Sequence, residues 1–226
     1  MTVSLFKATL ASAALLAASG TAANANVVFS ENFDGENNGS SSLAFTTFSQ
    51  FDVTQGEVDL IAQGDFGLDC AGGTGSCLDL DGSAGNNNTS ELVSTPIELI
   101  AGTTYTFSFD FSGGQVLSLI DDPRFGATDT FIASIGNLVS TTITVMRGDA
   151  FQTFMTTFVA QATETVSISF LTPGASDFIG AKLDNILLVE VPLLDDSTLA
   201  TPLPGALPLL LSGLAGLSFA SRRKRS

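Results

Sequence analysis

The sequence predicts an all-β protein, an antiparallel β-sandwich, on three observations. Residues 104–111 alternate aromatic and polar side chains, which places Tyr105, Phe107, Phe109 and Phe111 on one face of a strand. Shorter runs of the same period recur along the body, separated by clusters of Gly, Asn, Asp and Ser. No helical period longer than two turns occurs in the body. Short strands with one apolar face are typical of sandwiches.

The remaining candidate strands are identified, in chain order, by their β-branched and aromatic residues. They cover residues 53–62, 77–80, 90–93, 141–146, 151–159, 165–170 and 181–191. Together with 104–111 they make roughly eight to ten strands. The sequence Arg147-Gly148-Asp149 has the form of an integrin ligand, and we interpret it as a hairpin turn between two strands.

Charge is distributed unevenly along the 226 residues, which include 23 acidic residues, 8 basic residues and no His. The net charge is −15, although the mean hydropathy is +0.37. All the acids lie between Glu31 and Asp196, so that residues 26–200 combine 23 acids with three bases, a net charge of −20. Such a body cannot neutralise phosphates, which excludes nucleic-acid binding. The lack of His excludes His-ligated zinc and catalysis by Ser-His-Asp or Cys-His groups.

The N-terminus has the layout of a secretory signal peptide. Lys7 precedes an apolar run that ends in small residues, with Ala23 and Ala25 marking a cleavage site after Ala25. An N-terminal membrane anchor is the alternative, but the apolar run is shorter than the roughly 20 residues that span a bilayer. We therefore assign 1–25 to a signal peptide and 26–192 to one β-sandwich domain.

The C-terminus follows a linker over 193–200 and combines a proline motif, an apolar run and a basic end. No residue from Leu203 to Ala220 is charged, and a helix of this length rises about 27 Å, enough to cross a bilayer. The positive-inside rule would keep on the cytoplasmic side the bases that follow, Arg222, Arg223, Lys224 and Arg225. From the residues alone, the segment is a C-terminal transmembrane anchor.

The same tail resembles the PEP-CTERM sorting signal of exported bacterial proteins. Its motif is similar to the Val-Pro-Leu-Pro-Ala variant and differs at the first and last of its positions, Thr201, Pro202, Leu203, Pro204 and Gly205. The resemblance implies that 201–226 is a sorting signal cut by an exosortase-type membrane protease. It also implies a Gram-negative bacterium that makes extracellular polysaccharide, and a location at the cell surface, at the outer membrane or in the extracellular matrix.

Three segments of the body resemble, in their order and spacing, the galactose-binding-like jelly-roll domain common in PEP-CTERM proteins. They are residues 77–83, 101–113 and 180–186. In jelly rolls of that class a structural Ca²⁺ often joins the first and last strands. The matching positions are Glu31 and Asp34 near the first strand and Asp184 in the last. Carboxylates are ligands that Ca²⁺ prefers. The alternative is that Glu31 and Asp34 are solvated turn residues and that Asp184 flanks a strand.

The two cysteines, Cys70 and Cys77, bracket a small, flexible loop. Two cysteines so close in an exported chain are expected to form a disulfide. A redox-active pair is the alternative, but six intervening residues and the lack of a nearby base argue against it.

These observations predict a non-catalytic exported protein associated with extracellular polysaccharide. Carbohydrate binding follows by fold analogy only. Because the chain has no Trp and a single Tyr, which we expect in the core, a glycan site would use loop Asp, Asn and Gln side chains or a loop Phe such as Phe66 or Phe125. A calcium-dependent adhesive or scaffold protein that binds another protein is one alternative. A secreted hydrolase is the other, with Asp121-Asp122 or Asp79-x-Asp81 as its acid pair.

Overall fold

The computed structural model describes residues 25–83, 89–114, 128–174 and 180–192. Several predicted features lie outside these ranges: the signal peptide up to residue 24, the linker and sorting signal over 193–226, Asp121, Asp122 and Phe125. Among the helical segments that are described, none is long and apolar enough to cross a membrane.

Within the described residues the chain forms thirteen strands, short 3₁₀ turns and no α-helix, which confirms the predicted all-β class. The strands are β1 (Asn26–Glu31), β2 (Phe51–Gln55), β3 (Asp59–Ala62), β4 (Ser76–Asp79), β5 (Ser90–Ser94), β6 (Ile97–Leu99), β7 (Thr104–Ser112), β8 (Thr128–Ile135), β9 (Val139–Met146), β10 (Gln152–Val159), β11 (Glu164–Val166), β12 (Ile168–Thr172) and β13 (Lys182–Glu190). The 3₁₀ turns are Glu36–Gly39, Asp65–Gly67 and Ala71–Gly73.

The strands form two antiparallel sheets that pack face to face in a jelly-roll-like sandwich. Sheet A has the order β10-β7-β13-β4-β3, with β1 paired to the C-terminal part of β13. Sheet B has the order β2-β5-β12-β8-β9, and β6 pairs with β11 in a small ribbon. Three residues join β2 to β3 and five join β9 to β10. One lateral side of the sandwich is therefore edged by β2 and β3, and the other by β9 and β10.

Aromatic residues from both sheets make the main core. The ring of Phe109 on β7 lies 5.2 Å from that of Phe170 on β12 and 6.1 Å from that of Phe131 on β8, between centroids. It also stacks on Phe154 of β10 at 5.0 Å. Tyr105 is fully buried on the same face of β7, as the alternation predicts. Because burying each such ring stabilises the fold by about 1.5–3 kcal/mol, these contacts hold the sheets together.

Two predicted strands are each divided between two elements. The predicted strand over 53–62 becomes β2 and β3, which belong to different sheets because Gly56 turns the chain at φ +59°. A Cβ at this position would lie 2.6 Å from the carbonyl oxygen of Thr89, so the close approach requires glycine. The predicted strand over 165–170 is also divided, between β11 in the ribbon with β6 and β12 in sheet B.

The turn at Arg147-Gly148-Asp149 is present, but it does not close a hairpin. The N–H of Asp149 donates to the carbonyl of Met146, and Gly148 adopts φ +86°. The strands on either side, β9 and β10, lie in different sheets. The hairpin interpretation is therefore wrong, because the turn carries the chain from one sheet to the other.

Candidate functional site

The predicted disulfide between Cys70 and Cys77 is present. It closes the connection between β3 and β4, and it packs with Ile61 and Leu68 in a small apolar cluster separate from the main core. This cluster lies on the outer face of sheet A, the face turned away from sheet B. We call residues 63–75 the cover loop, because they cover that face.

Three charged side chains stand side by side on the outer face of sheet A, and one of them, Lys182, contacts the cover loop. In register, Asp59 on β3 pairs with Asp79 on β4, and Asp79 pairs with Lys182 on β13. All three are buried. The Nζ of Lys182 donates to the backbone carbonyl of Asp69 in the cover loop and lies 5.0 Å from the centroid of the Phe151 ring. The loop therefore supplies an acceptor for the cation that it buries, as a buried charge requires.

Burial shifts the protonation of this row. It raises the pKa of Asp79 to about 7; the charges of Asp59 and Asp81 act in the same direction, and N–H groups of Asp81 and Gly180 oppose it. Burial also lowers the pKa of Lys182 to about 8, although the carboxylates around it favour the charged form. Asp79 and Lys182 therefore exchange protons between about pH 7 and 8, where isolated Asp and Lys side chains do not.

Two of the residues predicted to bind Ca²⁺ hold residues 70–77, the segment that the disulfide closes. The Oδ2 of Asp184 accepts the N–H of Ala71 at 3.1 Å, and the Oδ1 of Asp34 accepts the N–H of Ser76 at 2.8 Å. Burial raises the pKa of Asp184 to about 7, and the charge of Asp34 acts in the same direction. The two carboxylates thus hold opposite ends of the disulfide-closed segment.

Glu31, the third residue predicted to bind Ca²⁺, points away from the outer face of sheet A that carries Asp184. It pairs in register with Ile186, whose side chain belongs to the main core. A bulge at Asn185, with φ +49°, places Asp184 on the outer face, whereas Ile186 points inwards. The Oε1 of Glu31 accepts the N–H of Phe33 at 2.7 Å.

The predicted calcium residues therefore do not fit one ion as a set of three. In the described part of the chain, one group of three acid or thiol side chains has its ligand atoms within 4.8 Å of one another: Cys70, Cys77 and Asp184. Its two sulfur atoms are joined in the disulfide, whereas thiolate is the form that binds metals. Asp34 and Asp184 are the pair that remains near one loop.

A cleft of about 190 Å³ opens at the end of the sandwich where the two sheets meet. Its walls come from the end of β4, the beginning of β8, the end of β12 and the approach to β13. The described residues that line it are Asp81, Thr128, Asp129, Thr130, Thr172, Pro173, Gly174 and Gly180. Two acidic residues and three threonines thus line one space.

The cleft arises because the inward positions of sheet B turn polar at this end. On β8 the inward position next to Phe131 is occupied by Asp129, and on β12 the inward position after Phe170 is occupied by Thr172. The hydroxyl oxygen of Thr172 is buried and forms no hydrogen bond with the described residues. Polar groups therefore replace the apolar stripe at the mouth of the sandwich.

Asp79 fixes one wall of the cleft from beneath. Its Oδ1 accepts the N–H of Asp81 at 3.0 Å and the N–H of Gly180 at 2.9 Å. A Cβ on Gly180 would lie 2.6 Å from this Oδ1, so the approach requires glycine. The acid pair Asp79-x-Asp81 therefore divides into a buried positioning residue and a residue that lines the cleft.

Phe66, one of the two loop phenylalanines predicted to meet a glycan, is 58% exposed in the cover loop. Its backbone has φ +55°, a conformation that favours glycine. The next residue towards the N-terminus, Asp65, accepts a hydrogen bond from the hydroxyl of Ser41 at 2.6 Å. Phe66 is not among the described residues that line the cleft.

No protein-family model and no curated protein matches the chain. Solved structures that match include the carbohydrate-binding module TmCBM61 in complex with β-1,4-galactotriose, 16% identical over 71% of this chain and 99% of that one, with a TM-score of 0.43. The adhesin domain of Lys-gingipain from Porphyromonas gingivalis W83 is 13% identical over 71% and 96%, with a TM-score of 0.45. The Stig cyclase Fisc from Fischerella sp. TAU is 14% identical over 77% and 92%, with a TM-score of 0.47. These TM-scores are below 0.5, so the comparisons carry no argument about function.

Proposed function

We propose that this protein is a non-catalytic glycan-binding domain, exported to the cell surface or the extracellular matrix and associated there with extracellular polysaccharide. The observation that supports this most is the cleft, which Asp81, Asp129 and three threonines line and into which Asp129 and Thr172 point from the inner face of sheet B. Carboxylates accept hydrogen bonds and hydroxyls both donate and accept them, which matches the hydroxyl groups of a sugar. The disulfide is in keeping with an oxidising compartment outside the cytoplasm.

The size and charge of the cleft limit the length and the charge of the glycan that it can bind. At about 190 Å³ it is smaller than the roughly 300–1,000 Å³ of pockets that hold drug-sized ligands. We therefore expect it to take one sugar residue or a chain end rather than a long segment. Two carboxylates line it and the chain has a net charge of −15, so a neutral polysaccharide is favoured over an acidic one.

The test is binding of the full chain to a panel of neutral and acidic polysaccharides by affinity electrophoresis. Replacing Thr172 by Val keeps the shape and removes the hydroxyl, so we expect affinity for neutral polysaccharide to fall by up to about tenfold. Replacing Thr142 by Val, on the exposed face of β9, is the matched control and should change nothing. Equal binding by both variants, or no binding to any neutral polysaccharide, would contradict the proposal.

Hydrolysis is the second candidate, because Asp81 and Asp129 line the same cleft and two carboxylates are the usual catalytic groups of glycosidases. Mass spectrometry of oligosaccharides incubated with the wild-type chain decides between the two functions. A binding domain returns them intact. Cleavage that disappears in both Asp81→Asn and Asp129→Asn would replace the binding proposal with an enzyme.

For the C-terminal segment we propose sorting by an exosortase-type protease, with membrane insertion of 203–220 before cleavage. The resemblance of Thr201 to Gly205 and the basic end supports this proposal. Mass spectrometry of the mature protein from its host should find a chain that lacks Arg222 to Arg225. A mature chain that retains these residues would contradict it.

Calcium binding stays a prediction of the jelly-roll resemblance, with Asp34 and Asp184 as the pair that remains for it. Calorimetric titration of the full chain with Ca²⁺ is the measurement, with Asp184→Asn as the variant. Binding that Asp184→Asn removes, together with a rise in melting temperature, would support the prediction. No binding by the wild-type chain would overturn it.

A further inference from the structure

One wall of the cleft is held together by a single buried carboxyl group. The Oδ1 of Asp79 accepts the N–H of Asp81 at 3.0 Å and the N–H of Gly180 at 2.9 Å, and both of these residues line the cleft. Gly180 is 101 residues from Asp79 along the chain. The side chain of Asp79 therefore joins two segments that are far apart in the sequence and adjacent in the cleft wall.

The neighbouring acid, Asp59, holds the chain just beyond this wall. It pairs in register with Asp79, and its Oδ1 accepts the N–H and the hydroxyl of Ser83, both at 3.2 Å. It also accepts the N–H of Ala44 at 2.7 Å. Neither Ser83 nor Ala44 is among the described residues that line the cleft. Of these two acids, Asp79 is thus the one that is bonded to the wall itself.

Charged groups face Asp79 from both strands that flank it and from the chain that follows it. Burial is the largest cause that raises the pKa of Asp79 to about 7, and the charges of Asp59 on β3 and of Asp81 after β4 add to it. The cation is Lys182 on β13, in register with Asp79. The acids around Lys182 are Asp69, Asp79 and Asp184. Asp79 therefore gains and loses its proton near neutral pH, where a carboxyl group in water stays ionised.

The charge of Asp79 decides how firmly it holds the wall. A hydrogen bond to an ionised acceptor is about twice as strong as one between neutral groups. Protonation of Asp79 therefore weakens its bonds to Asp81 and Gly180 together. The N–H of Leu80 still donates to the carbonyl of Ala181 at 3.0 Å, so the wall loosens without coming apart.

We propose that the ionisation of Asp79 regulates glycan binding: the cleft binds its glycan tightly when Asp79 is a carboxylate and weakly when Asp79 is protonated. This inference rests on the proposed function, because it concerns the same cleft. Coupling between two binding events is reciprocal, so a bound glycan should also favour loss of the proton. Ionisation of a buried carboxyl group costs stability, so it has opposite effects on stability and on affinity.

Calorimetric titration of the full chain, in a mild detergent, with a neutral polysaccharide fragment tests this regulation. We expect the wild-type affinity to be lower at pH 6 than at pH 7.5, on the order of fivefold, because the dissociation constant rises as the competent fraction falls. Asp79→Asn stays neutral, so at the higher pH it should bind as weakly as wild type does at the lower pH. It should also be more stable than wild type at the higher pH, which a loss of affinity through unfolding would not show.

Asp52→Asn on the exposed strand β2 is the matched control and should keep the wild-type dependence on pH. Equal wild-type affinity at the two pH values, or an Asp79→Asn variant that keeps the wild-type dependence, would overturn the regulation alone. Absence of binding at both pH values would overturn the proposed function together with the regulation that rests on it.

A measurement without glycan and without a variant keeps the two proposals apart. In NMR spectra of the wild-type full chain, the amide protons of Asp81 and Gly180 should shift together with a midpoint of about pH 7. The amide proton of Gly102, which donates to the backbone carbonyl of Ala160, is the control and should not follow this curve. If Asp81 and Gly180 show no common titration, the regulation is wrong whether or not a glycan binds.

Discussion

The outer face of sheet A has two halves that are built in opposite ways. The half on β3, β4 and β13 carries Asp59, Asp79, Lys182 and Asp184. All four are buried, and the cover loop contacts Lys182 and Asp184. The half on β7 and β10 carries Thr, Ser and Met side chains and has no cover among the described residues, with Asp110 at the boundary between the halves. Apart from the half-buried Asp110, charge on this face is thus buried, and the open surface is uncharged.

The difference in burial between the two halves shows which interactions the stability of each half depends on. Under the cover loop, Asp184 accepts the N–H of Ala71 and Lys182 donates to the carbonyl of Asp69, so backbone groups of the loop satisfy the buried charges. A charge left buried without such partners costs several kcal/mol. The covered half should therefore respond to loosening of the loop and to pH, and the open half should respond to neither.

The largest effect on stability is expected from opening the disulfide. The double variant Cys70→Ala, Cys77→Ala should lower the free energy of unfolding by about 2.5 kcal/mol, because the cover loop loses its closure constraint. Urea denaturation measures this, and reductant added to the variant should cause no further loss. An unchanged urea midpoint would show that the loop holds its position without the disulfide.

The covered half should also give stability an unusual dependence on pH. The carboxyl pKa values of Asp79 and Asp184 are raised from 3.8 to about 7, so their contribution to stability is present below about pH 4 and lost as pH rises through about 7. The pKa of Lys182 is lowered from 10.5 to about 8, so its contribution is present above about pH 10.5 and lost as pH falls through about 8. Urea denaturation at several pH values should find a minimum of stability between about pH 7 and 8, rather than the usual maximum.

Replacing Asp79 by Asn isolates the carboxylate part of this effect. The amide oxygen can still accept the N–H groups of Asp81 and Gly180, and the side chain stays neutral. At pH 8 we expect the variant to be more stable than wild type by on the order of 2 kcal/mol, with little difference at pH 4. Asp52→Asn on the exposed β2 edge is the control and should change stability little at either pH. A loss of stability at both pH values would contradict this account of Asp79.

The smallest effect is expected in the open half. Met155→Ala should change the free energy of unfolding of the monomer by less than about 0.5 kcal/mol, because the side chain is 66% exposed. Phe154→Leu, one residue earlier and directed at the core, should cost about 1 kcal/mol. If Met155→Ala costs more than Phe154→Leu, the open half is packed against something and the contrast between the halves fails.

Features that depend on neighbouring residues could be predicted from the sequence. The alternation around Phe107 and Phe109 identified the buried face of β7, because successive side chains of a strand point to opposite sides. The disulfide was predictable because the short separation of Cys70 and Cys77 and an exported setting favour it.

Features that depend on the pairing of segments far apart in the chain could not be predicted from the sequence. Asp81, Asp129 and Thr172 meet in the cleft because β8 begins where β4 and β12 end, which no local pattern encodes. The burial of Lys182 runs against the usual exposure of lysine. The bulge at Asn185, which separates Asp184 from Glu31, follows from strand register rather than from composition.

Hydrogen-exchange mass spectrometry of the full chain with a neutral polysaccharide fragment tests the central claim most directly, because it locates the binding surface. Glycan binding at the cleft predicts protection in peptides that cover residues 128–130 and 172–174, and none in the cover loop. Protection confined to the cover loop around Phe66, or no protection with any neutral polysaccharide, would contradict it.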